Sequence, residues 1–276
     1  MSLSVLVSTM HQKDYSILDR MHIASDAVVV NQCDKSSKIR FDYNGHNIIW
    51  INSKERGLSN SRNLAIKSAD SEICLICDDD EVLNDGYKDK ITDAFKKMSQ
   101  AEIIAFDFTK AGGKARYKKS LNIGDSDTFK RAPWYKSFCS VRIAFKLREI
   151  KEKSLYFDTR FGAGSGVIAS GEETVWQCSA RKKGLSIYHA PINIAVLNQQ
   201  ESTWFSGLNN KYYYDLGACL VTNYPILCKA LKYYYVINIH GDTISVKEQI
   251  KWLNLGIRYF GKLGFGYEDF LKYRNI

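Results

Sequence analysis

The segment that most constrains this chain is Ile73-Cys-Leu-Ile-Cys-Asp-Asp-Asp-Glu81, an apolar run that passes straight into four carboxylates. Five apolar residues in a row are too few for a surface helix. They read as a strand buried on both faces, the pattern of a parallel sheet covered by helices. In open α/β folds ligands bind at the carboxyl ends of such strands, where Asp78 to Glu81 fall. Adjacent carboxylates repel one another and call for a counter-ion when partly buried. In an extended chain Asp78 and Asp80 share a face, an Asp-x-Asp pair suited to Mg²⁺ or Mn²⁺. Those ions take one or two carboxylates and fill their other positions with water and phosphate oxygens. The competing reading is a solvated acidic turn ahead of a helix starting near Asn84, because acidic residues favour helix starts. The segment alone leaves both readings open.

The surrounding sequence supplies more elements of the same kind. Leu3 to Thr9, Ala27 to Val30, Asn47 to Ile51 and Ile103 to Phe108 are further apolar strands. Between them, Asp14 to Ile23, Ser59 to Ala69 and Asn84 to Met98 have helical character, with Ser59 or Asn60 as an N-cap. Strands and helices alternating with short connections predict a doubly wound, mostly parallel α/β sheet of Rossmann-like type. No GxGxxG loop follows the first strand, which argues against a dinucleotide site.

Beyond residue 110 the pattern loosens. Ala111 to Lys136 mixes glycines with lysines and arginines without periodicity, and a loop of that length is usually a lid or a disordered segment. Ser140 to Phe145 returns to strand. Gly162-Ala-Gly-Ser-Gly166 either brings the backbone close to a ligand or makes a plain turn. A helix opens at Gly171-Glu-Glu173 and runs to about Lys183, followed by strands Ser186 to His189 and Ile192 to Leu197. Towards the end, Lys211-Tyr-Tyr-Tyr214 and Lys229 to Tyr235 interleave lysine with aromatics, and Ile250 to Leu263 fits an amphipathic helix. This region suits either peripheral contact with an anionic bilayer or a helical appendage packed on a catalytic domain.

Composition limits the classes. The 276 residues suit one large domain or one domain with an appendage, and three prolines leave little room for disordered linkers. Lys and Arg outnumber Asp and Glu by 39 to 30, a modest excess that suits anionic substrates or membranes as readily as nucleic acid. No nucleic-acid-binding module is recognisable, so none is expected as a partner. Seven cysteines without framework spacing read as reduced core thiols, which fits a cytoplasmic protein. Met1 to Thr9 lacks the features of a signal-peptide core, and no window is apolar enough for a transmembrane helix.

Three separated stretches, Gly57-Leu-Ser-Asn-Ser-Arg-Asn-Leu64, Asp78 to Asp80 and Gly171-Glu-Glu173, together resemble the family 2 glycosyltransferases of GT-A fold. The first is similar to that family's G-x-S-x-x-R-N segment and the second to its DxD motif. The third is similar to its E-D motif, with Glu for the second Asp. Val5-Leu-Val-Ser-Thr9 is similar to its first strand and donor loop. The resemblance covers roughly residues 1 to 205, expected to form the catalytic domain, with a nucleotide-sugar half (1–110) and an acceptor half (111–205). Residues 206–276 would be a helical, aromatic and basic extension.

The resemblance implies an inverting, metal-dependent transferase of hexosyl type. It would move a sugar from a nucleotide diphosphate sugar, most simply a UDP-sugar, to a saccharide or lipid-linked saccharide in surface polysaccharide synthesis. The setting would be the cytoplasm or the inner face of the cell membrane. Asp80, with Asp78, would hold Mn²⁺ or Mg²⁺, and His189 is a weak substitute for the family's metal-binding histidine, whose position here is Asn198. Thr9, Asn31, Asp34, Arg62, Asp78 and Asp79 would bind the nucleotide sugar, Arg62 from the first turn of its helix. Glu173, or else Glu172, would take the proton from the acceptor hydroxyl. The departures at Glu173 and Asn198 also admit a nucleotide-sugar-binding or scaffold protein that has lost catalysis.

Overall fold

In the computed structural model, which describes residues 1–110, 129–198, 207–238 and 244–274, the apolar runs of the first half become neighbouring strands of one sheet. Elements follow in the order β1 (Leu3–Met10), α1 (Ile17–Arg20), β2 (Asp26–Gln32), β3 (Ser37–Tyr43), β4 (His46–Ser53), α2 (Leu58–Ser68) and β5 (Ile73–Asp78). Then come β6 (Glu81–Leu83), α3 (Tyr87–Lys97), β7 (Ile103–Lys110), β8 (Lys130–Arg131), a 3-10 turn (Ser140–Arg142), β9 (Ile143–Lys146) and α4 (Leu147–Glu152). The chain continues through α5 (Glu172–Lys182), β10 (Ile187–Leu197), α6 (Asn210–Asn223), α7 (Cys228–Asn238), α8 (Val246–Leu263) and α9 (Tyr267–Arg274). The strand order is β3-β4-β2-β1-β5-β9-β7-β10-β6, with β8 beside β10. The run β4-β2-β1-β5 is parallel throughout, as is the β7–β10 pair, while β9 is antiparallel to both β5 and β7.

Burial explains the parallel run. Val5, Val7, Val29, Leu75 and Cys77 pack on one face with Ile17 and Leu18 of α1 and with Ile91 and Phe95 of α3. The alternate residues Leu6, Val28, Val30, Cys74 and Ile76 are buried as well. A strand covered on both faces has no polar side to show, which is why it reads as a continuous apolar run.

Several expectations need correction. The helix expected over Asp14 to Ile23 is only Ile17–Arg20, because the Asp14 carboxylate accepts from both the backbone N–H and the hydroxyl of Ser16 and makes a turn there. His22, at φ 53°, stops the helix at its other end. Ser140 to Arg142 is a 3-10 turn, so that strand begins at Ile143. The two strands expected on either side of Pro191 are one, β10, whose register to β7 shifts between His189 and Asn193. Proline has no N–H to give a ladder, and the irregularity absorbs it. Most of the expected lid, residues 111–128, lies outside the described residues. Its end is described and contributes β8, antiparallel to β10.

The chain divides into two units. The first comprises Met1–Arg56, Asn60–Tyr156 and Ala180–Glu201, and the second Gly57–Ser59, Phe157–Ser179 and Ser202–Ile276. The second has its own apolar core, with Phe161, Tyr213, Tyr214, Leu253, Phe260 and Phe270 buried together. The amphipathic helix expected over Ile250 to Leu263 is α8, extended at its start to Val246. Its N-cap Ser245 accepts from the Glu248 N–H, and Gly264 ends it at φ 70°. Helices α6 and α8 approach so closely that a Cβ on Gly256 would lie 2.1 Å from the Tyr214 carbonyl oxygen, and one on Gly217 2.4 Å from that of Leu253. Among the described residues no helix is long and apolar enough to cross a membrane.

Candidate active site

Parallel registration sets the carboxyl ends of four strands side by side. Asn52 of β4 pairs with Asn31 of β2, Asn31 with Thr9 of β1, and Ser8 of β1 with Asp78 of β5. Around this edge the side chains are held by hydrogen bonds. The Thr9 hydroxyl donates to Asp79 at 2.6 Å and accepts from the Gln12 amide at 2.8 Å. Asn31 is buried and fully engaged. Its Oδ1 accepts from the Gln12 N–H, and its Nδ2 donates to the Gln12 carbonyl and to Asn52. Asn31 therefore fastens the turn after β1, where His11 sits at φ 55°. Asp34 is fully in solvent, with a side chain 92% exposed that pairs with Arg56 at 2.6 Å.

Arg62 is the fifth residue of α2, just past the first turn where it was expected. Its side chain is 2% exposed, and its Nη2 donates to both oxygens of Asp78, at 2.9 and 3.2 Å. The guanidinium thus meets the charge of Asp78 directly, and the helix N-terminus is not what presents it. The strand ends at Asp78, and Asp79 and Asp80 form a turn before β6. The alternation that would put Asp78 and Asp80 on one face stops there. The Asp80 carbonyl accepts from the N–H of Asn198 at 3.0 Å, which places that asparagine beside the cluster. Glu81 is buried at 2% exposure among Cys77, Asp78, Asp80 and Arg62. Burial first, and then the Asp78 charge, push its carboxyl well above the usual range and favour its protonated form.

His189 belongs to a different cluster. Its Nε2 lies 2.9 Å from Asp107 and 3.3 Å from Arg142, its ring stacks on Phe138, and Arg142 also bonds Asp107. Burial raises the Asp107 pKa, but the His189 hydrogen bond and the Arg142 charge outweigh it and hold the carboxyl below its ordinary range. Leu197, opposite Glu81, is eight residues further along the same strand, roughly 25 Å at strand rise. The structure does not bring His189 to the aspartates.

In the second unit the Gly-x-Ser end of the expected motif has a packing role. The Leu58 N–H donates to the Ala163 carbonyl, and the Ser59 hydroxyl to that of Phe161. A Cβ on Gly164 would lie 3.2 Å from Gly57, and one on Gly162 3.3 Å from the Glu172 side chain. The glycine cluster is therefore occupied by protein: it lets the loop close on Gly57 and Glu172. Glu172 is 6% exposed and packed there, whereas Glu173 is half-buried. Behind them, Gly171 at φ 90° lies against Cys219, and Asp215 accepts from the Ala169 N–H and from Lys211. Gln12, Arg56, Asp215 and Cys219 escape sequence reading because nothing local marks a residue whose partner is distant in the chain.

Among the described residues no group of three or more His, Cys, Asp or Glu side chains is placed to hold a metal ion. Asp78 is already met by Arg62 and Asp79 by Thr9. The carboxylates present fit Mg²⁺ or Mn²⁺ only in the mode where the protein gives one or two oxygens and phosphate and water give the rest.

Comparison with known proteins agrees with the fold. The chain matches 95% of its length to the crystal structure of S. aureus TarS at 16% identity and a TM-score of 0.56, and spans 44% of that protein's chain. It matches TarS 1–349 in complex with UDP over its full length and 78% of that chain, at 16% identity and a TM-score of 0.57. For the same fragment with UDP-GlcNAc the TM-score is 0.54, at 16% identity, covering 99% of this chain and 76% of that one. No curated protein matches. The expected GT-A architecture is thus the one found. Residues 15–159, just over half the sequence, match the family described as glycosyl transferase family 2, and the chain belongs to that family.

Proposed function

We propose that this chain is an inverting glycosyltransferase whose donor, a UDP-sugar, binds at the carboxyl ends of β1, β2, β4 and β5. The observation that carries the reading is the fixed row there, with Thr9 set on Asp79 and Arg62 set on Asp78. Neighbours of the same fold were solved with UDP and UDP-GlcNAc, which supports uridine as the base. In this proposal Thr9 and Asp79 line the nucleoside end, Arg62 holds Asp78 in place, and Asp80 faces the diphosphate. Asn31 holds the loop, and Asp34 contributes only charge at the rim. Mg²⁺ or Mn²⁺ held by Asp80 would neutralise charge on the departing diphosphate.

Glu173 is the proposed general base, because it is the more exposed carboxylate at the start of α5, where the helix N-terminus favours its ionised form. It takes the proton of an acceptor hydroxyl as that oxygen attacks the anomeric carbon, and inversion follows from attack opposite the nucleotide. Glu172 supports the loop. The proposed acceptor is a saccharide or lipid-linked saccharide, the proposed catalytic region residues 1–205, and the proposed extension residues 206–276. A cytoplasmic setting fits seven free cysteines. A second reading, a donor-binding protein without turnover, is favoured by one observation: Asn198 stands beside Asp80.

A thermal-shift panel of UDP, UDP-sugars and GDP, with and without Mn²⁺, tests the donor reading. Saturation at 100 Kd adds about 2.7 kcal/mol and is readable as a rise in Tm. A Mn²⁺-dependent rise with UDP and UDP-sugars is expected. No shift with any nucleotide would contradict the proposal.

A further inference from the structure

Helix α7 is apolar on two opposite faces. Cys228, Lys232 and Val236 are buried in the second unit's core, with Lys232 taken up by Asn254 at 2.6 Å. On the other side Ile226 is 89% and Ile237 68% exposed, and Leu227, Tyr233 and Tyr234 are each more than half exposed. Ile226 and Leu227 lie in the turn that leads into α7, and Tyr233, Tyr234 and Ile237 follow at helical spacing on its outward face, so exposed apolar side chains run from the turn along the helix. A helix on a protein surface normally turns polar residues outward, and contiguous exposed apolar side chains mark a contact surface.

Charge selects the partner. From Tyr224 to Asn238 the chain has two lysines and no acidic residue, and Lys229 is exposed beside the stripe. The whole chain has a net charge of +9. We infer that the outward face of α7 and the turn before it dock on an anionic lipid bilayer, with Ile226, Leu227 and Ile237 entering the acyl boundary. Tyr233 and Tyr234 lie at headgroup level, where amphipathic rings favour the interface, and Lys229 meets lipid phosphate. A second copy is a poorer occupant. A symmetric contact pairs the patch with itself and brings no carboxylate to Lys229. The helix is also only about 16 Å long, and a standard protein interface uses about 20–30 residues a side. The inference rests on α7 and the turn before it and does not use the donor site.

Flotation of the full chain tests it, with vesicles of phosphatidylcholine mixed with phosphatidylglycerol against phosphatidylcholine alone. Wild type should float with the anionic vesicles and weaken as salt rises. Combining Ile226→Ser with Ile237→Ser should reduce binding at least about tenfold, since two isoleucines leave the acyl boundary. Lys229→Gln should cost about fivefold, the worth of one lysine near the surface. Lys97→Gln, an equal loss of charge on α3, should leave binding unchanged. Because both isoleucines are exposed, their loss should not lower Tm, which separates lost docking from lost folding. Three results would overturn the inference. They are equal binding to the two vesicle types, wild-type flotation by the isoleucine variant, and a lipid-free dimer that the isoleucine variant dissociates.

Discussion

The carboxylates after β5 lie in three different environments within four residues. Asp78 has its charge met by a buried guanidinium, Asp79 is exposed and accepts from Thr9, and Glu81 is buried with its carboxyl pushed well above the usual range. A carboxyl whose folded pKa is raised gives stability that is complete below its unfolded pKa and is lost as pH rises through the folded value. Replacing Glu81 by Gln keeps the shape and removes the titration. The variant should match wild type near pH 4 and become progressively more stable than it towards alkaline pH, measured as Tm across a pH series without added metal. A constant difference at every pH would place the proton elsewhere. At the start of α5 the contrast is between a packed and a half-exposed glutamate. Glu173→Gln should lower kcat by about 10²–10⁴-fold with donor affinity nearly unchanged, the usual worth of a general base. Glu172→Gln should lower Tm, because Glu172 packs on Gly162, and cost less in kcat. The reverse ranking of kcat would exchange the two roles.

At the scale of elements, glycine has opposite effects in different helices. Gly to Ala inside a helix normally stabilises by about 1 kcal/mol. At Gly256 the sign should reverse, because the new Cβ would stand 2.1 Å from the backbone of Tyr214, which cannot move aside without moving α6. Such overpacking typically costs about 1–3 kcal/mol. Gly261 meets only the Val221 side chain, at 3.0 Å. Urea titration should therefore find Gly256→Ala less stable than wild type and clearly below Gly261→Ala, and equal stability of the two variants would deny the close α6–α8 crossing. Legibility in the sequence also follows the element. Strands β1, β2, β4, β5 and β7 are readable because burial on both faces makes their central residues mostly apolar. Edge strand β3 alternates Ile39, Phe41 and Tyr43 with charged residues that face solvent, and β6 is three residues long. The carboxylates at Asp78 and Glu173 stand out by composition. The hold of Arg62 on Asp78, the clasp of Asn31 on Gln12 and the packing of Gly162 on Glu172 depend on chain segments that meet only after folding.

For the whole molecule the central claim is donor turnover by a family 2 glycosyltransferase whose diphosphate is met at Asp80. The most direct measurement is UDP release from a UDP-sugar by the full chain with Mn²⁺, comparing wild type with Asp80→Asn. The substitution preserves size and leaves the Asp80 backbone contact to Asn198 intact. Loss of one preorganised electrostatic contact to a developing charge typically costs about 10²–10³-fold. The account predicts Mn²⁺-dependent UDP release by wild type and a drop of that order in Asp80→Asn, at unchanged Tm. Equal release by the two proteins, or none by wild type with any UDP-sugar, would contradict it.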